Sequence, residues 1–217
     1  AGGVALGLCT GRIGCGLAED LARRVAPDGL HIFQSGAVVS APGAPAVLAE
    51  ALPDASFRAL VEISRREHEP LEAFGERSFH LERENALTRV HAEHLEMAPV
   101  ITDLLALPEP VVRAQWVVPE RDWPRYREWT LALGDVAVNP ATAPWSPGTV
   151  FSNLTRVGVS KASALRWLAA RLGLAIDEVA MVGDGENDLD AIEAAGLGIA
   201  VGNAAPIVRE RAKAVVR

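Results

Sequence analysis

The segment from Val179 to Asn203 constrains the fold of this chain more than any other part of the sequence. Val179–Val182 is a short apolar run, which is typical of a strand buried on both faces. The glycines of Gly183–Asp188 allow a tight turn, apolar residues recur at helical spacing over Leu189–Ala195, and Gly198–Val201 has the pattern of the next strand. This order of strand, turn, helix and strand predicts an α/β fold built on a parallel sheet.

The turn between this strand and helix is rich in carboxylates. Asp184 and Asp188 lie at the carboxyl end of a parallel strand, which is where open α/β sheets bind ligands. Because like charges this close repel one another, the pattern predicts a hard divalent cation, most simply Mg²⁺. The alternative is an ordinary polar turn in which Asn187 or Asp188 caps the helix. A helix–loop–helix calcium loop is excluded, since counting from Asp184 puts Leu189 where glycine is needed and Ala195 where glutamate is needed.

A second strand–turn–helix unit lies at the start of the sequence. Val4–Cys9 has the pattern of a buried strand, and the apolar spacing over residues 17–25 predicts a helix. Between them, Thr10, Gly11 and Arg12 offer a hydroxyl, a backbone amide and a guanidinium near a helix N-terminus, a combination suited to binding an anion. A capped helix with an incidental arginine is the alternative.

The middle of the chain differs in pattern from both ends. Prolines cluster within residues 42–53 and 140–147, as expected of loops or linkers, and helical and strand-like patterns lie between them. We therefore predict two domains. A core is formed by residues 1–38 and 150–217, and residues 39–149 form an inserted α+β domain.

The insert offers few residues with an evident chemical role. His91 and His94 lie three apart on a predicted helix, but no further zinc ligand has a suitable spacing, so we expect a solvated helical face. The insert also holds several tryptophans, for which we expect packing roles. They are Trp116, Trp123, Trp129 and Trp145.

A lysine opens the helix that follows the insert. A strand is predicted over residues 149–157, and Ser160 is placed to cap a helix that runs to Leu172. Lys161 lies in the first turn, where a cation opposes the helix dipole. Of the 21 Lys and Arg residues only Lys161 and Lys213 are lysines, so a lysine at this unfavourable position indicates a need for a compact ammonium group. A surface lysine without a role is the alternative.

Composition excludes several classes of function. The net charge is −7 and no basic run exists, which argues against a nucleic-acid partner, and no apolar stretch is long enough to span a membrane. Cys9 and Cys15 are typical of reduced thiols, so we expect a cytoplasmic protein. A dinucleotide-binding oxidoreductase is a competing α/β hypothesis, but the glycines at Gly11, Gly14 and Gly16 are in the wrong order for its fingerprint.

Together, the turn at Thr10–Arg12, Lys161 and the turn at Gly183–Asp188 resemble the second, third and fourth motifs of the haloacid dehalogenase superfamily. The order of these motifs, the insert before Lys161 and the trailing segment Gly198–Asn203 are most similar to the Cof-like, type IIB sugar-phosphatase branch. The resemblance implies a Rossmannoid parallel sheet as the core, with residues 39–149 as a type-2 cap.

The resemblance also implies a reaction and residues that perform it. The expected enzyme is a Mg²⁺-dependent phosphatase acting on a small phosphorylated metabolite, most simply a sugar phosphate, through an aspartyl-phosphate intermediate. Asp184 is expected as a Mg²⁺ ligand and Asp188 as a second ligand or a group that holds the waters of the metal. Thr10 and the amide of Gly11 are expected to bind the phosphoryl oxygens, and Lys161 to neutralise charge between nucleophile and phosphoryl group.

Three further residues are expected to contact the substrate. Arg12 is the last residue of the turn at Thr10–Arg12, and Asn187 is expected to orient Lys161 or the phosphate. Ser35 lies in the sequence Gln34–Ala37, where the family often has Asn-Gly-Ala, so this chain departs from the usual asparagine.

The first motif of the family, Asp-x-Asp-Gly-Thr, supplies the nucleophile and has no match in this sequence. We therefore expect the 217 residues to be a fragment of a longer chain and to lack phosphatase activity by themselves. A non-catalytic module that binds a phosphosugar or a metal is the alternative, because it would keep Thr10, Lys161 and Asp184 without a nucleophile.

Overall fold

The structure is a computed structural model that describes residues 3–217. The α-helices are α1 (Gly16–Val25), α2 (Asp54–Glu67), α3 (Ala86–Leu95), α4 (Trp123–Leu131), α5 (Lys161–Arg171), α6 (Leu189–Ala194) and α7 (Pro206–Arg211). The strands are β1 (His31–Phe33), β2 (Val38–Ser40), β3 (Leu48–Ala49), β4 (Leu71–Phe74), β5 (Phe79–Leu81), β6 (Val100–Ile101), β7 (Arg113–Pro119), β8 (Val136–Ala143), β9 (Ser146–Arg156), β10 (Ala180–Gly183), β11 (Leu197–Val201) and β12 (Ala214–Val216).

The C-terminal part of the core has the predicted α/β pattern. Strands β10, β11 and β12 pair in parallel in that order, with Val182 opposite Ile199 and Ile199 opposite Ala214. Helices α5 and α6 cover this sheet, and their small side chains, such as Ala162 and Ala191, are buried against it. The acidic turn therefore lies at the carboxyl end of β10, as the sequence predicts.

The N-terminal part of the core departs from the predicted pattern. Only the end of the expected strand Val4–Cys9 pairs with β1: the Ile32 amide donates to the Leu8 carbonyl over 2.8 Å, and the Thr10 amide donates to the Ile32 carbonyl over 2.9 Å. Within residues 3–217, no strand pairs with residues 4–7, since β1 begins only at His31. The chain then turns back, and β1, β2 and β3 form an antiparallel sheet that the sequence did not predict.

The two core sheets share one hydrophobic core. Within residues 3–217 no backbone ladder joins them, and side-chain packing connects them instead. Ile32 and Val39 of the first sheet pack with Leu165 of α5 and with Ile192 of α6. Helix α5 therefore lies against both sheets, which places its N-terminus between the turn at Thr10–Arg12 and the acidic turn.

The insert is built on a six-stranded sheet in the order β6-β5-β4-β7-β9-β8. Side chains alternate across this sheet, so the two faces differ. Ala114, Trp116 and Val118 of β7 face the apolar core formed with α2 and α4, where the Trp116 indole donates to Thr130 Oγ1 over 3.2 Å. The opposite face carries the polar residues Arg113 and Gln115 together with Phe74, which packs against Ile13 of the core.

The sheets support a division of the chain that differs slightly from the predicted one. The Glu50 amide donates to the Ala37 carbonyl, which ties β3 into the core, whereas the Leu52 amide donates to Val111 of the insert. Strand β9 belongs to the six-stranded sheet up to Arg156. We therefore propose that the cap comprises about residues 51–156, with the core on either side. No helix in residues 3–217 is both long and apolar enough to cross a membrane.

Candidate active site

The acidic turn and the lysine that opens α5 are joined by a buried ion pair. Lys161 Nζ pairs with Asp188 Oδ1, and the two side chains are only 5% and 8% exposed. The other carboxylate oxygen of Asp188 accepts hydrogen bonds from the backbone amides of Asp184 at 3.2 Å and Gly185 at 3.1 Å. Asp188 thus shapes the turn and holds the ammonium group in place.

The N-terminus of α5 fixes the position of Lys161. Ser160 and Ser163 form a capping box, in which the Ser163 amide donates to Ser160 Oγ over 3.2 Å and the Ser160 amide donates to Ser163 Oγ over 2.9 Å. The Ala162 amide donates to Asp190 Oδ2 over 3.2 Å, so a carboxylate from the neighbouring helix compensates the positive end of α5. These contacts offset the cost of placing a cation in the first turn.

The N-terminal turn is held next to α5 by the segment after β1. The Ser35 amide donates to the Thr10 carbonyl over 3.1 Å, and the Arg12 amide donates to Thr10 Oγ1 over 3.2 Å. Gly36 has a φ of +102°, and a Cβ on it would lie 2.1 Å from the Ser160 carbonyl oxygen. Glycine is therefore required where this segment meets the start of α5.

A cavity of about 430 Å³ lies between the core and the cap. The core residues Cys9, Thr10, Gly11, Arg12, Lys161, Asp184, Asn187 and Asp188 line it, together with the cap residues His91, His94, Arg113, Gln115, Trp145, Phe151 and Asn153. Every predicted site residue except Ser35 is thus brought to one cavity. Ser35 lies behind the turn, where a Cβ on Gly11 would be 3.2 Å from its hydroxyl.

Arg12 connects the core side of the cavity to the cap. Its guanidinium donates to the His94 carbonyl over 3.3 Å and contacts His94 Nε2 at 2.8 Å. Since a guanidinium can only donate, His94 Nε2 must be the acceptor, which requires a neutral imidazole. Burial, followed by the positive charge of Arg12, lowers the pKa of His94, in agreement with that assignment. This contact joins α3 of the insert to the turn at Thr10–Arg12.

The prediction of a solvated helical face for the two histidines of α3 is wrong. His91 is 6% exposed, and its Nδ1 lies 2.8 Å from Glu72 Oε2. The His94 ring stacks on Trp145 with the ring centroids 4.0 Å apart. The sequence did not identify these cap residues as part of the cavity. A signal was present in β7, where polar side chains such as Arg113 and Gln115 occupy alternate positions, which is unusual for a face buried in a hydrophobic core.

The carboxylates fit a cation that takes few protein ligands. Within residues 3–217, no group of three or more His, Cys, Asp or Glu side chains converges as a complete metal cage. Asp184 is exposed to the cavity, whereas Asp188 is committed to Lys161 and the turn. Mg²⁺ commonly binds one or two carboxylates and keeps several waters, so Asp184 fits as its ligand and Asp188 fits better as a supporting group.

Two other cavity residues are poor phosphoryl acceptors. Burial raises the pKa of the Cys9 thiol to about 12, and the neighbouring Lys161 offsets that shift only in part, so the reactive thiolate is scarce at neutral pH. The Thr10 hydroxyl accepts from the Arg12 amide, and in the part of the chain that the structure describes no basic group contacts it. The cavity residues therefore supply binding and positioning groups rather than an activated nucleophile.

These features define a class of protein: a capped α/β enzyme whose cavity combines a buried lysine, the hydroxyl, amide and guanidinium of the turn at Thr10–Arg12, and an exposed carboxylate. The chain belongs to the haloacid dehalogenase-like hydrolases, since the family model matches residues 1–217. The resemblance seen in the three motifs is confirmed, and so is the predicted fold class.

Relatives and solved structures agree with this assignment. Over 65 residues the chain is 45% identical to the stress response protein YhaX of Bacillus subtilis, covering 30% of this chain and 23% of that protein. Over 60 residues it is 47% identical to the phosphoglycolate phosphatase of Methanothermobacter thermautotrophicus, covering 28% of this chain and 27% of that one. The matched segments therefore span well under a third of these relatives.

The fold as a whole resembles a solved structure described as a subclass IIB sugar phosphatase of this superfamily. The TM-score is 0.78 at 20% identity, and the match covers 98% of this chain and 80% of the other. At that identity the likeness shows the fold alone.

Proposed function

We propose that the protein is a Mg²⁺-dependent phosphatase that hydrolyses a small phosphorylated metabolite, most simply a sugar phosphate. What supports the proposal is the position of Thr10, Lys161 and Asp184 around one cavity beneath the cap. A cavity of about 430 Å³ has room for a small metabolite and not for a macromolecule. The name of the phosphoglycolate phosphatase relative points to the same class of reaction.

The proposed roles follow from the chemistry of each group. Thr10 and the amide of Gly11 bind the phosphoryl oxygens, and Lys161 neutralises the charge that builds up near the phosphorus. Asp188 positions Lys161 through the buried ion pair. Asn187, at the rim of the acidic turn, contacts the phosphate.

Asp184 is the proposed ligand of Mg²⁺. When bound, the metal would withdraw charge from the phosphoryl oxygens. The proposed route is the one that the family resemblance implies. The phosphoryl group is transferred to an Asp that is not among the cavity residues named above, and water then hydrolyses the aspartyl-phosphate. We place the reaction in the cytoplasm, where the free thiols of Cys9 and Cys15 would stay reduced.

The test is phosphate release by the full-length protein from a panel of sugar phosphates, with Mg²⁺ and after its removal by a chelator. We expect Mg²⁺-dependent release that Asp184→Asn nearly abolishes. Asp20→Asn, an equally conservative change on the exposed face of α1, is the matched control and should leave the rate unchanged. Binding of phosphate without release from any compound would favour the non-catalytic module instead.

A further inference from the structure

Arg113 is a buried cation on the cap side of the cavity. It is the first residue of β7, is only 3% exposed and lines the same cavity as Lys161. Burial lowers its pKa to about 10, which still leaves the guanidinium charged at neutral pH. A buried charge needs compensation from its surroundings, so the groups around Arg113 decide what it can bind.

The groups that contact Arg113 are uncharged. Its Nη1 donates to Gln115 Oε1 over 2.8 Å and to Asn153 Oδ1, and its Nε lies 3.4 Å from Gln34 Oε1. The guanidinium stacks over the Phe74 ring at 3.8 Å. Within residues 3–217, no carboxylate lies within 4.0 Å of it, and its buried Nη2 has no hydrogen-bond partner.

The acidic groups near this wall of the cavity have other partners. Glu72, the carboxylate that faces Arg113 from β4, is held by His91 Nδ1 at 2.8 Å. Across the cavity, Asp188 is paired with Lys161. Arg113 is therefore a positive charge with a free donor, fixed by amide oxygens at one end of a small cavity.

We propose that Arg113 binds a second anionic oxygen group of the substrate, at the end away from the phosphate that is removed. The preferred substrates would then be phosphorylated sugar acids or bisphosphates rather than sugars with a single phosphate and no other charge. This proposal rests on the proposed phosphatase function. A planar guanidinium matches both carboxylate and phosphate, and a buried donor left unpaired by an uncharged substrate would make that substrate unfavourable.

The test compares substrates that differ only in this group. Gluconate 6-phosphate and sorbitol 6-phosphate differ by a carboxylate in place of a hydroxymethyl, and fructose 1,6-bisphosphate against fructose 6-phosphate tests a second phosphate. For the full-length wild type we expect kcat/KM to favour the charged member of at least one pair by about tenfold or more. The pair that shows the preference identifies the anion.

Variants separate recognition from folding. Arg113→Gln should bring the ratio for the preferred pair close to one, mainly by weakening the charged substrate, while Arg113→Lys should retain part of the preference. Arg89→Gln, which removes an exposed arginine of α3, should leave the ratio unchanged. An equal loss for both members of the pair in Arg113→Gln would mean that Arg113 only supports the cap, and would overturn the proposal.

A binding measurement keeps this proposal distinct from the proposed reaction. If no compound is hydrolysed, including p-nitrophenyl phosphate, the phosphatase function fails. The melting temperature measured with each member of both substrate pairs then decides about Arg113. A larger stabilisation by the charged member of either pair, lost in Arg113→Gln, supports the anion site, and equal stabilisation within both pairs contradicts it.

Discussion

Removing the negative charge of Asp188 should destabilise the protein strongly. In Asp188→Asn the ammonium of Lys161 stays buried without its counter-charge, and breaking a buried pair in this way costs about 3–5 kcal/mol. The amides of Asp184 and Gly185 can still donate to the remaining side-chain oxygen. We therefore expect the loss in free energy of unfolding to lie near the lower limit, at about 3 kcal/mol. An exposed pair would contribute less than about 1 kcal/mol.

The assay is urea unfolding of the full-length protein as a double-mutant cycle. Lys161→Met in the Asp188→Asn background removes the uncompensated charge, so the double variant should be more stable than Asp188→Asn alone. The coupling energy should be about 2 kcal/mol. The exposed pair Arg211–Glu193, at 2.6 Å with side chains 56% and 40% exposed, is the matched control, and Glu193→Gln should cost less than about 1 kcal/mol.

Two results would refute this reasoning. A loss below about 1 kcal/mol in Asp188→Asn would mean that Lys161 reaches solvent or another partner once the carboxylate is gone. A double variant that is less stable than both single variants would mean that the two side chains act through packing rather than through their charges.

Three further predictions concern single residues. Asp184→Asn should nearly abolish Mg²⁺-stimulated turnover yet change the free energy of unfolding by less than about 0.5 kcal/mol, because its carboxylate is exposed; parallel activity and urea measurements check both parts. The pKa of His94 is lowered, so the contact with Arg12 should be intact above the ordinary histidine pKa and be lost as the pH falls through the lowered value. KM should therefore rise on acidification, and a His94→Gln variant, which keeps an acceptor, should show a flatter KM profile; identical profiles would contradict this assignment. Gly36→Ala should destabilise the protein by about 1–3 kcal/mol, since the new Cβ would meet the Ser160 carbonyl and φ is +102°. An unchanged thermal melt for that variant would show that the segment can shift without cost.

The regular elements of the fold could largely be predicted from local patterns. Helix α5 ends within one residue of the predicted Leu172, and β10 and β11 begin and end within one residue of the expected strands, because the apolar spacing of each element reflects its own burial. Strands β2 and β3 escaped prediction because they are only three and two residues long, too short for any period to appear. Strand β2 pairs with β1 and β3 pairs with β2, and the local sequence of so short a strand does not reveal its partner.

The residues of the candidate site also differ in whether the sequence alone could predict them. Thr10, Lys161 and Asp184 could be predicted because each follows a strand or opens a helix in a recognisable motif. Arg113 and Asn153 could not, because they become neighbours only through the register of the cap sheet, in which Gln115 lies opposite Asn153. A single sequence shows that such residues are polar, but it does not show which of them contact one another in the folded protein.

Gln34 links the core directly to Arg113 of the cap. Its side-chain nitrogen donates to the Gly75 carbonyl of the cap over 2.9 Å, and its oxygen faces Arg113. Lifting the cap would separate Gln34 from Arg113 and Arg12 from His94 in one movement. Because Gln34 of the core and Gln115 of the cap both hold the Arg113 guanidinium, the position of Arg113 depends on the cap staying in contact with the core. At the anion site proposed above, discrimination between ligands would therefore require this closed arrangement.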